Sequence, residues 1–115
     1  MNALGRHLLL DLRNCNDGVL NDLDFLKESM LTAARECGAT VLGESFHRFS
    51  PQGVSGVLVI AESHISIHTW PEYGYAALDI FTGSKVNPHA AIPALRKAFA
   101  PKRIQLSEHK RGVRV

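Results

Sequence analysis

The chain has little cysteine. Cys15 and Cys37 are its two thiols, spaced unlike any close metal or redox motif, so they are expected to be reduced and structural. A long apolar run is also missing. The longest early one, Leu8 to Leu10, is closed by Asp11, whereas a signal peptide needs about 7–15 apolar residues and a membrane helix about 20. A cytoplasmic protein with no membrane partner is expected. Charge of one sign is scarce: 13 Lys and Arg against 11 Asp and Glu leave a formal +2. The cations gather weakly near the end, at Lys102, Arg103, Lys110, Arg111 and Arg114. They lack the dense stripe with interleaved aromatics of a nucleic-acid reader, so they are expected to be solvated, with no nucleic-acid partner. Repeats, low-complexity stretches and linkers are absent too. One domain, residues 1–115, follows, since 115 residues suit a single core.

What is present alternates between two periods. His7 to Leu12 is a short apolar run fit for a strand, followed by a polar turn at Asn14, Asn16, Asp17 and Gly18. Leu23, Leu26, Met30, Ala33, Ala34 and Cys37 then recur at helical spacing, with Asn21 or Asp22 as cap and Gly38 past the end. Residues 40–49, 54–60, 64–70 and 75–81 read as a meander of strands. Asn87 and Pro88 open a second helix carrying Ile92, Leu95, Ala98 and Phe99, in which Pro93 is expected to make a kink. Ile104 and Leu106 mark a last strand. The expected fold is α+β, a two-layer sandwich of an antiparallel sheet with both helices on one face.

The run from Val54 to Trp70 specifies its own hairpin. With Ala61 and Glu62 as a two-residue loop, Ile60 faces Ser63, Leu58 faces Ile65, and Ser55 faces His68. Alternation then sends Leu58, Ile60, Ile65 and Ile67 to the core face. Ser55, Val57, Val59, His64, Ser66 and His68 take the other face. A hydroxyl and an imidazole so paired, with Cβ atoms about 5 Å apart, are within hydrogen-bond reach. The same alternation puts Ser63 on the face opposite His68, so joint action of the two within one hairpin requires a bend at the turn. Taken alone, Ser63 also reads as a turn residue and Phe49 as a core residue. His64 and His68 have no carboxylate or cysteine close in sequence to complete a metal set, and no metal is expected.

The segment Glu62-Ser63-His64-Ile65-Ser66-Ile67-His68-Thr69-Trp70-Pro71-Glu72-Tyr73-Gly74-Tyr75-Ala76 resembles the signature of the small prokaryotic S-adenosylmethionine decarboxylases. The resemblance extends to Gly5-Arg6-His7, Phe46-His47-Arg48-Phe49, Gly53-Val54-Ser55-Gly56, Glu108-His109 and Arg111-Gly112. It implies a proenzyme that cuts itself between Glu62 and Ser63, giving chains 1–62 and 63–115, with Ser63 converted to a pyruvoyl group that forms a Schiff base with substrate. Ser55 and His68 match the processing residues, His68 as the base. Phe49 matches the residue that stacks on the adenine of S-adenosylmethionine, and Glu72 the one that holds its ribose. The product would be the aminopropyl donor of spermidine biosynthesis, and a homodimer of cleaved protomers is implied, with active sites at the subunit interface. The open sheet face, bearing Val57, Val59 and Trp70, points to the same dimer.

One departure stands out. The family reads Phe-Thr-Cys-Gly, its Cys returning a proton to the substrate's α-carbon, whereas this chain reads Phe81-Thr82-Gly83-Ser84-Lys85. Ser84 and His64 are the candidate substitutes. The departure leaves two further readings, a pyruvoyl-dependent arginine or ornithine decarboxylase and a non-catalytic regulatory homologue.

Overall fold

The structure, a computed structural model, describes residues 3–115; the first two residues of the expected domain lie outside them. Six strands, β1 (Ala3–Arg13), β2 (Val41–Arg48), β3 (Val54–Ile60), β4 (Ser63–Trp70), β5 (Tyr75–Gly83) and β6 (Arg103–Val113), join two helices, α1 (Leu23–Glu36) and α2 (Ile92–Phe99). They form one sheet in the order β2-β3-β4-β5-β1-β6. Every neighbouring pair is antiparallel.

The α+β sandwich expected from the sequence is the fold. Leu8, Leu10, Leu58, Ile60, Ile65, Ile67 and Ile80 are all buried on one sheet face, against Leu26, Met30, Leu95 and Phe99 of the helices. Burying a side chain of this size contributes about 1.5–3 kcal/mol, so this layer is the main source of stability. Asp22 caps α1 by accepting from the Phe25 N–H at 3.1 Å, and Gly38 takes φ 81° just beyond the helix, the left-handed conformation that glycine adopts without a Cβ penalty.

The β3–β4 register is the one alternation dictates: Ser55 opposite His68, Leu58 opposite Ile65, Ile60 opposite Ser63. Thr69 locks the far end of this hairpin. Its buried hydroxyl accepts from the Val54 N–H at 2.9 Å and donates to the Leu20 carbonyl at 2.7 Å. Gly56 is fixed by packing, because a Cβ there would enter the ring of Phe46 on β2.

Two expectations change. Pro93 does not kink a helix: a 3-10 turn at Pro88–Ala91 precedes α2, and Pro93 sits in the first turn of α2 itself, where a missing N–H leaves nothing unpaired. The last strand is far longer than its apolar pair suggests, because β6 draws its hydrogen bonds from the full length of β1. The basic tail residues Lys102, Arg103, Lys110, Arg111 and Arg114 are exposed as expected, and Arg111 in addition contacts His7 and Phe81.

Candidate active site

The hairpin loop is a strained place for a peptide bond. Glu62, its second residue, has φ 77°, a region that costs a non-glycine residue roughly 1–2 kcal/mol. The loop is held by the Ala61 N–H, which donates to the Thr40 carbonyl at 2.8 Å. The Glu62 side chain lies over Gly83 at the end of β5. A Cβ at position 83 would stand 3.0 Å from Glu62 Oε1 and 3.2 Å from its Cδ.

Ser55 and His68 meet as their register requires, Oγ to Nδ1 at 2.8 Å on the exposed side of the hairpin. No bend brings them to Ser63. Strand β4 runs unbroken from Ser63 to Trp70, so His68 lies five residues, about 16 Å at ~3.3 Å per residue, from Ser63. Phe49 and Glu72 are more distant still. Phe49 follows β2, half exposed, with its ring 4.7 Å from that of His47. Glu72 sits in the 3-10 turn Pro71–Tyr73, beyond the end of β4 that is remote from Ser63. The candidate residues therefore fall into two separate groups. The loop at Ser63 is at one end of β4; Ser55, His68, Phe49 and Glu72 are at the other.

Beside Ser63, on the uncovered face, lies a polar cluster that local sequence reasoning missed. His7 of β1 and His64 of β4 flank Phe81 of β5, and both direct Nε2 to Asp79 Oδ2, at 2.8 and 3.1 Å. Ser66 donates to the other carboxylate oxygen. Arg111 donates to His7 Nδ1 at 2.9 Å. The His7 ring stacks on Phe81 with centroids 4.8 Å apart, and His64 meets the same ring edge-on. Burial, the largest single effect, pushes the Asp79 carboxyl up; hydrogen bonds from Ser66, His7 and His64 outweigh it and hold the group below the ordinary aspartate value.

The three ligand-type atoms of His7, His64 and Asp79 lie within 4.8 Å of one another, so the carboxylate missing near His64 in sequence is supplied by β5. The hydrogen bonds argue against metal ligation. Arg111 is a donor only, which puts the His7 proton on Nε2 and removes the lone pair a metal would need. The available sequence signal was polar residues, His7 and Asp79, set at outward positions of two apolar strands. A groove of about 560 Å³ runs from this cluster toward His68, lined by Leu9, Asp11, Ser66, Asp79 and Ser107.

Ser84 lies exposed in the turn after β5, and the Thr82 hydroxyl is buried and donates to the Val86 carbonyl at 3.4 Å. Neither thiol is placed for chemistry. Cys15 and Cys37 are buried and free, and burial pushes Cys15 up to about 11 and Cys37 also upward.

Residues 6–112 match the S-adenosylmethionine decarboxylase family. An S-adenosylmethionine decarboxylase proenzyme of Thermotoga maritima is 51% identical over 97% of this chain and 87% of its own length. One of Acetivibrio thermocellus is 53% identical over 98% and 92%. In three dimensions the chain resembles the crystal structure of the adenosylmethionine decarboxylase from Aquifex aeolicus, with a TM-score of 0.90 at 32% identity, covering 98% of this chain and 94% of that one. A match of this length, in sequence and in fold, makes the chain a member of the S-adenosylmethionine decarboxylase family.

Proposed function

We propose that the chain is a proenzyme that cuts itself between Glu62 and Ser63 and then decarboxylates S-adenosylmethionine as a homodimer, with Ser55 and His68 of one copy serving Ser63 of the other. The observation that carries this reading is the Ser55–His68 hydrogen bond, on the open face yet about 16 Å along β4 from Ser63, the residue next after the strained Glu62. A second copy laid over the open face, with its hairpin reversed, brings the missing half-site to each loop. That face exposes Leu9, Val59 and Trp70, an apolar surface that such a contact would bury.

The pyruvoyl group is made from Ser63, so the fit to be tested is whether the chain holds its precursor and the processing machinery. It does, in Glu62, Ser63, Ser55 and His68. The Ser63 hydroxyl attacks the Glu62 carbonyl carbon, forming an ester as the peptide C–N bond breaks. His68, aligned by Ser55, then takes the Ser63 α-proton as the ester oxygen leaves with Glu62 as its α-carboxylate, and the resulting dehydroalanine tautomerises to an imine that water hydrolyses to the ketone with release of ammonia. An imidazole suits this step because it gains and loses protons near neutral pH. Once formed, the group supplies a carbonyl that condenses with the substrate's amino group and withdraws electrons as carbon dioxide departs.

Phe49 offers an exposed ring face for the adenine, and Glu72 a carboxylate for the ribose hydroxyls. The proton that replaces the lost carboxylate on the α-carbon comes from His64. This side chain follows Ser63 directly and lies on the open face, whereas Ser84 points from an exposed turn and lacks an activating partner.

Denaturing mass spectrometry of purified protein tests the processing: chains 1–62 and 63–115 are expected, and Ser63→Ala should remain intact. Labelled carbon dioxide release should favour S-adenosylmethionine over arginine and ornithine. An uncleaved wild type, or better turnover of either amino acid, would overturn the reading.

A further inference from the structure

Outside the processing residues, the most organised side chains of the open face converge on Asp79. Its Oδ2 accepts from two imidazoles and its Oδ1 from Ser66. The two imidazoles are not equivalent. His7 is closed at both nitrogens: Nε2–H is given to Asp79, and Nδ1 receives an N–H from Arg111. The Arg111 donor leaves the His7 proton on Nε2. His64 holds Asp79 through Nε2 and has no partner on Nδ1 among the described residues, so its Nδ1 is the open nitrogen of the pair. His64 is also the more accessible, its side chain 38% exposed against 14% for His7.

We infer that Asp79 is a positioning residue for the reaction, which directs the mobile proton of this cluster to His64, with Arg111 and His7 barring the alternative site. The inference rests on the reading of Ser63 as the processed residue and of His64 as the acid beside it. In that step a His64 N–H bond breaks and a C–H bond forms at the carbon that has lost carbon dioxide; the imidazole then takes a proton from water. Asp79 fixes the ring by its Nε2, and Phe81 meets it edge-on. His64 faces Asp79 and, across Phe81, His7, to which Arg111 donates.

The decisive experiment is a double-variant cycle on cleaved protein. His64→Ala should lower kcat by about 10²-fold or more, and Asp79→Asn by on the order of 10-fold, a part of the ~10²–10⁴ that a positioned acid contributes. The double variant should be no slower than His64→Ala alone, and KM should hold within about 2-fold, the split expected when transition-state stabilisation alone is lost. Losses that multiply in the double variant, or an Asp79→Asn enzyme with unchanged kcat, would overturn the inference. A second measurement needs no turnover. Nitrogen-15 imidazole spectra of uncleaved Ser63→Ala protein should show His7 held as the Nε2–H tautomer and the His64 Nε2–H bonded to Asp79, and Asp79→Asn should shift the His64 signal. A His7 protonated on Nδ1 alone, or a His64 signal that Asp79→Asn leaves unmoved, would sink the proposal. Should wild type fail to cleave, the functional reading falls, and these spectra still decide the Asp79–His64 relation.

Discussion

Ser63 and His68 stand on opposite faces of one unbroken strand, five residues apart, while the Ser63 loop and the Ser55–His68 pair each lack what the other holds. This separation predicts complementation between two inactive proenzymes. Ser63→Ala and His68→Ala should each remain uncleaved alone. Refolded together, a heterodimer joins an intact Ser63 to an intact His68, and up to half of the His68→Ala chains in a statistical mixture should be cut. Intact-mass analysis of the mixture measures this, and no cleavage after co-refolding would place processing within one protomer.

A second prediction concerns the loop strand contact. Because a Cβ at position 83 would stand 3.0 Å from Glu62 Oε1, Gly83→Cys must displace the Glu62 side chain before a thiol can occupy the site. Self-cleavage should slow by a few-fold, seen as a longer-lived intact band on a denaturing gel. An unchanged rate would show that the Glu62 side chain can move without disturbing the adjacent peptide bond.

Asp79 links the cluster to acid stability. Its folded value is depressed below an unfolded value of about 3.9, so its contribution is fully present above that unfolded value. The contribution is lost as pH falls through the folded value. Asp79→Ala should therefore cost about 1–3 kcal/mol near neutral pH, the range for leaving hydrogen-bonded partners unpaired. Urea unfolding should show this gap narrowing in strong acid. A gap that stays constant with pH would mean that the loss is one of packing.

Packing itself is tested at Gly56. A Cβ there would enter the Phe46 ring, so Gly56→Ala must rotate or expel that ring from its place over Gly56. Overpacking of this kind costs about 1–3 kcal/mol, readable as a lower urea midpoint with an unchanged slope. The accompanying Phe46→Ala change should recover part of the loss, and a failure to recover any would locate the strain elsewhere.

The hairpin that carries Ser55, Ser63 and His68 was legible in the sequence because its information is local. Period-2 alternation over residues 54–70 admits one register that buries Leu58, Ile60, Ile65 and Ile67 together. The caps of α1 and the membership of the family were legible for the same reason, as short runs of residues with a fixed spacing. The Asp79 cluster was not. Its members come from β1, β4, β5 and β6, and His7 meets Arg111 only because β6 returns to pair with β1 at the far side of the sheet. No spacing rule predicts an encounter across so much intervening chain, since the pairing depends on the whole sheet closing over its core. Nor does alternation say how far a strand stays straight: Ser63 and His68 were expected to need a bend, and only the continuous hydrogen-bonding of β4 to both β3 and β5 keeps them apart. The sequence by itself determined which side chains carry hydroxyl, imidazole and carboxylate groups and which face each hairpin residue occupies, because side-chain chemistry and strand period are local properties. Tertiary structure decided which of them meet, because contact between distant strands is settled by the packing of the entire sheet.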